Sequence, residues 1–215
     1  MDFTLDENQR AVADLAASVL RGDPDDGRVL AALATEPGYD EAAWKAMGQA
    51  GLLGLSLPES VGGDGFGAIE TGLVLVEVGR QVLPLPALAT LALGVLPVAA
   101  FGTVEQQQHL LPEVADGRVL TAALRDAPGT AVQLAGDTVT GARVGVPFAA
   151  QAHRVLVPTD NGTAIIDPRG PGATLTRTPT STSAPEYTLR LDAVPVESVL
   201  AAGPDDVDRF AVAGA

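Results

Sequence analysis

The pattern of apolar and polar residues divides the chain into two parts with different periods. In the first part, apolar residues recur with the period of an amphipathic helix. The clearest stretch runs from Asp40 to Pro84 and predicts two helices joined by a glycine-rich turn. Asp40 is placed to cap the first of these helices, and Gly51 follows its end. The second helix, from about Ala68 to Val82, is apolar over most of its circumference, so we expect it to be buried.

Further helical segments flank this pair. The stretch Thr4–Glu7 has the form of a capping box, in which a threonine and a glutamate satisfy each other's backbone amides. A long apolar run, Pro86–Phe101, contains Gly94 and Pro97, which predict a break or kink in a helix. A second possible capping box, Thr103–Gln106, opens another helix.

After Gly117 the pattern changes to that of short strands rich in β-branched residues and separated by turn formers. The sequence Asp160-Asn161-Gly162 is the strongest hairpin signal in the chain. Beyond the strands, the acidic residues of the segment 204–208 suit the first turn of a further helix. The predicted strands are Val119–Leu124, Asp137–Val146, His153–Pro158, Thr163–Asp167, Ala173–Thr178 and Glu186–Val194.

Composition and charge narrow the classes of function. An apolar fraction of 47% permits a sizeable core, and a formal charge of −14 opposes binding to nucleic acid or to an anionic membrane surface. The chain has no cysteine, so it has no disulfide framework and no thiol nucleophile. The N-terminus is acidic rather than leader-like, and no apolar run reaches the ~18 residues that span a bilayer. We therefore expect a cytoplasmic protein.

Several kinds of chemistry find little support in the sequence. The two histidines, His109 and His153, are far apart and have no carboxylates at metal-ligand spacing, so we predict no metal site. Ser56, Ser60 and the run Thr180–Ser183 have no nearby histidine that would make a hydrolase triad. The turn at residues 62–67 lacks the lysine and the preceding strand of a phosphate-binding loop. Glu77 is interpreted as a structural partner of Arg80, three positions away.

The order of these segments resembles a known family. A helix beginning FTLDENQR, a tryptophan helix, the turn GLLGLSLPESVGGDGFG, a helix ending VEVGR and a segment LLPEVADG are similar to the N-terminal helical domain of the acyl-CoA dehydrogenases. The following strands resemble the middle β-domain of the same family. The resemblance implies an α+β protein with an all-α domain at residues 1–117, an antiparallel β-barrel-like domain at 118–200, and the start of a C-terminal helix at 201–215. The family's C-terminal helical bundle is missing or only begun.

The resemblance also implies two segments that contact the flavin of FAD. One contains Leu124 and Arg125, where main-chain donors could reach the flavin although an arginine replaces the family's threonine. The other is a hairpin in which Gly141 and Arg143 match a glycine and a lysine of the family. In that hairpin Gly145 replaces a tryptophan that often covers the ring, and Pro147 replaces a threonine that contacts it. We assign no catalytic residue, since in the family the base is a glutamate of the C-terminal bundle.

The resemblance predicts a chain that takes part in FAD-dependent α,β-desaturation of an acyl-CoA, with the catalytic base supplied by residues outside it. Its expected partners are the acyl-CoA substrate, electron-transfer flavoprotein, and either a second acyl-CoA dehydrogenase subunit or further copies in a dimer or tetramer. One alternative is a non-catalytic structural subunit of a heteromeric acyl-CoA dehydrogenase, suggested by Arg125, Gly145 and Pro147. Another keeps the flavin but carries out an oxidase or monooxygenase reaction.

Overall fold

The computed structural model describes residues 4–21 and 26–213, in which helices come first and strands follow. The helices are α1 (Glu7–Leu20), α2 (Asp26–Ala34), α3 (Glu41–Gln49), α4 (Ala68–Arg80), α5 (Leu96–Phe101), α6 (Val104–Leu110), α7 (Pro112–Ala115) and α8 (Pro204–Ala213), with a 3₁₀ turn at Glu59–Val61 and a π-helical stretch at Leu88–Val95. The strands are β1 (Val119–Ala122), β2 (Arg125–Asp126), β3 (Gln133–Ala135), β4 (Thr138–Pro147), β5 (Ala152–Thr159), β6 (Gly162–Ile166), β7 (Ala173–Thr178), β8 (Glu186–Pro195) and β9 (Ser198–Leu200). The predicted α+β class is confirmed.

The strands form two sheets rather than one barrel. The four-stranded sheet has the order β1-β5-β6-β9, and the five-stranded sheet has the order β2-β4-β8-β7 with β3 on β4. Among the described strands β1 and β5 pair in parallel, whereas the other pairs are antiparallel. The predicted order of an all-α region followed by a largely antiparallel β-domain is confirmed, with the refinement that β1 and β5 pair in parallel and the two sheets do not close into a barrel. After β1 the chain builds β2, β3 and β4 in the other sheet and then returns beside β1 in the same direction.

Local sequence explains where the helices begin. Asp40 caps α3 by accepting a hydrogen bond from the Ala43 amide at 2.9 Å, as predicted. The capping box of α1 is built from Asp6 and Gln9, so the prediction of a box at Thr4–Glu7 was wrong. The sequence contains both patterns in overlapping positions, and the helix begins at the later one.

Helix α4 is less buried than its composition suggested. The side chains of Val74 and Val78 are buried, but those of Ile69 and Val76 are 61% and 50% exposed. Helix α4 packs mainly on α1, with smaller contacts to the π-helical stretch and α8. The exposed apolar residues of α4 show that a wide apolar stripe does not by itself mean that a helix is enclosed.

The helices and the sheets share part of their core. One apolar cluster joins Leu93 and Val98 of the helical region to Leu120 of β1, Leu156 of β5 and Val207 of α8. The π-helical stretch approaches β1 so closely that a Cβ on Gly94 would lie 2.5 Å from the Leu120 carbonyl oxygen. The break that Gly94 and Pro97 predicted takes the form of this π-helical stretch followed by α5. The division into domains at residues 117 and 200 stays a prediction.

Residues 4–21 and 26–213 contain neither a candidate membrane span nor a candidate metal cluster. None of their helices is both long and apolar enough to cross a membrane. In the same ranges, no three side chains among histidines, aspartates and glutamates are grouped so that they could hold a metal ion.

Candidate functional site

The first predicted flavin segment lies where the chain passes from one sheet to the other. Strand β1 of the four-stranded sheet ends at Ala122, and β2 of the five-stranded sheet begins at Arg125. Leu124 occupies the crossover and is half-buried, while Arg125 is exposed. The Ala123 amide still donates to the Leu156 carbonyl at 2.8 Å, so the four-stranded sheet holds the chain up to this point.

The second predicted segment lies on the neighbouring strand β4. Arg125 pairs with Val144, which places it beside Gly145. Gly145 has φ +61° and falls at a shift in the register between β4 and β8. Pro147 pairs with Glu186 of β8. The four predicted residues therefore lie on or next to adjacent strands at one part of the five-stranded sheet.

The side chain of Arg125 covers Gly145. Its Nη2 atom donates to the Gly145 carbonyl oxygen at 3.3 Å and lies 3.5 Å from a carboxylate oxygen of Glu186. A Cβ at position 145 would overlap the Arg125 guanidinium. The guanidinium therefore fills the space that a side chain at position 145 would enter. Sequence reasoning missed this contact, since only the register of β2 on β4 brings the two residues together.

A buried arginine, Arg143, makes hydrogen bonds to the crossover between the two sheets. Arg143 of β4 is 5% exposed and donates to the carbonyl oxygen of Leu124 at 3.4 Å, to Asp126 Oδ1 at 2.5 Å, and to the carbonyl oxygen of Pro158. Burial lowers the pKa of Arg143, and the adjacent Asp126 carboxylate opposes that shift. The resemblance had matched Arg143 to a lysine of the family, but nothing in the sequence indicated its three partners.

The end of β4 is closed by an aromatic residue in an unusual conformation. Phe148 has φ +51° and is buried, and its ring meets that of Tyr39 edge-on at a centroid distance of 6.0 Å. Its amide donates to the Pro185 carbonyl oxygen at 2.8 Å. A left-handed conformation is unfavourable for a residue other than glycine, so packing against Tyr39 and this hydrogen bond must hold it.

The other residues singled out from the sequence, two histidines and a glutamate, lie outside the candidate flavin site. His153, interpreted as a residue at the start of a strand, is buried in β5, and its Nδ1 atom donates to the Val119 carbonyl oxygen at 2.7 Å. Burial lowers the pKa of His153, which favours the neutral ring. His109 is exposed on α6. Glu77 is buried and paired with Arg80, as predicted.

Arg125 is the residue at the crossover whose side chain could contact a flavin ring. The guanidinium is planar and Arg125 is 67% exposed, with two long hydrogen bonds. A planar cation of this kind stacks on aromatic rings. The guanidinium lies over Gly145, the position at which the resemblance predicted the loss of a ring-covering tryptophan. A flavin ring bound at this point would stack on the guanidinium.

Comparisons with known proteins agree with this architecture. Residues 6–118 match the family model described as acyl-CoA dehydrogenase, N-terminal domain. The chain is 40% identical, over 91% of its own length, to the acyl-CoA dehydrogenase FadE28 of Mycobacterium tuberculosis. It superposes on a variant of the Tcur3481-Tcur3483 steroid ACAD with a TM-score of 0.84 and 33% sequence identity. It superposes on the ChsE4-ChsE5 complex from Mycobacterium tuberculosis with a TM-score of 0.86 and 28% sequence identity. Each superposition covers 98% of this chain.

The chain belongs to the acyl-CoA dehydrogenase family. It spans 54% of the length of FadE28 and 61% of each of the two structures named above. FAD, the cofactor that the resemblance predicted, is the cofactor of the family, and solved structures of this fold have been obtained in complex with FADH2 or FAD.

Proposed function

We propose that this chain forms one side of the flavin site of an FAD-dependent acyl-CoA dehydrogenase that desaturates an acyl-CoA thioester between its α and β carbons. The observation that carries the proposal is the convergence of Leu124, Arg125, Gly145 and Pro147 at one part of the five-stranded sheet. Bound FAD would accept the two electrons of the oxidation. The chain's own part is to bind and orient the ring and to exclude water from one of its faces.

We infer that the base that removes the α-proton comes from outside these 215 residues. Two carboxylates of the described residues are close to the predicted flavin segments, namely Asp126 and Glu186. Asp126 is bound by Arg143, and Glu186 lies beside Arg125. Both carboxylates are therefore already engaged by guanidinium groups of this chain, and we assign neither of them as the base.

The partners of the chain belong to the same proposal. The ChsE4-ChsE5 structure is named as a complex, and the Tcur3481-Tcur3483 steroid ACAD is named for two proteins. A heteromer with a second acyl-CoA dehydrogenase subunit therefore accounts for the missing base. Electron-transfer flavoprotein is the proposed electron acceptor, and the cytoplasm the proposed location.

The test begins with the native protein, purified from its source together with anything that co-purifies. Acyl-CoA thioesters of different chain length, and one with a steroid acyl group, are then added without oxygen. We expect at least one of them to bleach the flavin absorbance, and electron-transfer flavoprotein to restore it. Consumption of oxygen without any need for that acceptor would instead indicate an oxidase or monooxygenase. Protein without bound flavin, and without any response to acyl-CoA, would contradict the proposal.

One observation favours a second function, that of a structural subunit. The Arg125 guanidinium already fills the space at Gly145, so the chain could complete an assembly without touching a flavin. The two functions differ in flavin content. A structural subunit predicts an assembly with fewer flavins than chains and with no loss of flavin when Arg125 is replaced by alanine.

A further inference from the structure

Arg143 is the most deeply buried charged group near the candidate site, among the residues that the structure describes. Its side chain is 6% exposed, whereas that of its partner Asp126 is 56% exposed. A guanidinium removed from water is costly unless its donors find acceptors. The two terminal nitrogens of Arg143 find three acceptors, two of which are main-chain carbonyl oxygens, whereas its Nε has no partner among the described residues.

These acceptors belong to both sheets. Arg143 itself is in β4 of the five-stranded sheet, and Pro158 is in β5 of the four-stranded sheet. Leu124 lies between β1 and β2, in the short crossover that leads from one sheet to the other. A single side chain therefore ties the crossover to a strand on each side of it.

This arrangement differs from the other arginine contacts around the site. Arg125 and Arg154 form ion pairs that are partly exposed to solvent, and such pairs contribute little to stability. Arg143 instead satisfies carbonyl oxygens that a shorter or apolar side chain would leave without this donor. Its Nη1 atom donates to the Leu124 carbonyl oxygen at 3.4 Å, and that carbonyl belongs to the peptide that joins Leu124 to Arg125.

We propose that Arg143 is a positioning residue that holds the main chain of Leu124 and Arg125 in the orientation that receives the flavin. It need not touch the flavin. The proposal rests on the proposed function, since it takes these two residues to be flavin contacts. It goes further by assigning their geometry to one buried side chain on another strand.

The experiment compares Arg143→Met and Arg143→Lys in the full native assembly. Arg190→Met is the matched control, because Arg190 is an exposed arginine on the adjacent strand β8. Two quantities are measured for each protein. One is hydrogen exchange of the amides of residues 123–126, and the other is the dissociation constant for FAD after the flavin has been removed and added back.

For Arg143→Met we expect exchange at residues 123–126 to accelerate, and FAD binding to weaken, each by about ten-fold, which is the effect of losing one hydrogen bond to a charged group. Exchange elsewhere in β4 and β8 should change much less. Arg143→Lys keeps the charge and should recover part of both losses. Arg190→Met should stay within about two-fold of the parent protein in both measurements.

Exchange and FAD affinity within two-fold of the parent for Arg143→Met would overturn the proposal, as would acceleration spread evenly over the five-stranded sheet. If Arg143→Met does not fold, Arg143→Lys decides by the same two measurements. A parent assembly that binds no FAD would overturn the proposed function itself. The exchange data would then still show whether Arg143 holds the crossover, so the two failures are distinguishable.

Discussion

The guanidinium of Arg125 lies over the backbone of Gly145 and donates to its carbonyl oxygen at 3.3 Å. The two residues depend on each other, since a side chain at position 145 would overlap Arg125 and Gly145 has φ +61°. Where the family often has a threonine and a tryptophan, this chain has an arginine that fills the space beside a glycine. Arg125 therefore occupies the space that a side chain at position 145 would need.

The first prediction tests this dependence. Gly145→Ala should lower the free energy of unfolding by about 1–2 kcal/mol, because alanine is strained at positive φ and its Cβ must push Arg125 aside. In an Arg125→Ala background the same substitution should cost about 0.5 kcal/mol less, since only the strain remains. Urea unfolding of the four proteins measures this difference. Equal costs in the two backgrounds would show that Arg125 does not occupy the space at Gly145.

The second prediction concerns the close packing of the π-helical stretch on β1. Gly94→Ala should destabilise the protein by about 1–3 kcal/mol, because the new Cβ meets the main chain at Leu120 and backbone cannot move aside cheaply. Thermal and urea unfolding provide the measurement.

Gly79→Ala is the matched control for that substitution. Gly79 is also in a helix, but a Cβ there would have no atom within 4 Å. Alanine should stabilise α4 by about 0.5–1 kcal/mol. The changes in the free energy of unfolding should therefore have opposite signs in Gly94→Ala and Gly79→Ala. A loss of stability in both variants would show that close packing at Gly94 is not the cause.

The third prediction is a dependence of stability on pH through His153. Its pKa in the folded protein is below the usual 6.5, because burial disfavours the charged ring. Below about pH 6.5 the unfolded chain therefore binds a proton at His153 that the folded protein does not bind. The free energy of unfolding should fall as the pH drops from about 6.5 toward the folded pKa. Above about 6.5 this group should have no effect.

His153→Asn tests the assignment, because an amide does not titrate in this range. The variant should be less stable overall, but its stability should vary less between pH 6.5 and 5.5 than that of the parent. Asp40 and Glu70, whose pKa values are also lowered, act only near and below their usual values of 3.8 and 4.5. An unchanged slope in His153→Asn would assign the pH dependence to other groups.

The fourth prediction compares two helix caps. Asp40 is 8% exposed, accepts from the Ala43 amide and pairs with Arg28 at 2.6 Å. Burial raises the pKa of Asp40, but the hydrogen bonds from Ala43 and Arg28 outweigh it and the net shift is downward. Asp40→Ala should cost about 1–2 kcal/mol in urea unfolding.

Asp6→Ala provides the comparison, since Asp6 caps α1 in an exposed position. Its loss should cost about 0.5–1 kcal/mol, because water can replace the hydrogen bond. Asp40→Asn keeps an acceptor for the Ala43 amide and should fall between the parent and Asp40→Ala. A cost at Asp6 equal to that at Asp40 would mean that burial does not strengthen the cap.

The sequence predicted those elements that are determined by residues close to one another in the chain. The hairpin at Asp160-Asn161 joins β5 and β6 as predicted, and β7 has the predicted bounds Ala173–Thr178. Strands β3 and β9 were missed because each has only three residues, too few to display a period. The exposure of Ile69 was missed because a helical pattern identifies an apolar side without showing what covers it.

The candidate site depended on relationships that a single sequence does not display. Strands β1 and β5 pair in parallel although β2, β3 and β4, which lie between them in the sequence, belong to the other sheet. Arg125 meets Gly145 only through the register of β2 on β4. The resemblance supplied Leu124, Arg125, Gly145 and Pro147 as candidates, whereas the contacts of Arg143 came from the structure alone.

The most direct test of the central claim is the FAD content of the assembly, measured by absorbance and by release of the cofactor, in the parent and in Arg125→Ala. We expect bound FAD in the parent, and a dissociation constant at least several-fold larger when the guanidinium is removed. The claim would be contradicted by an assembly that contains no FAD, or by FAD whose affinity is unaffected by the loss of Arg125.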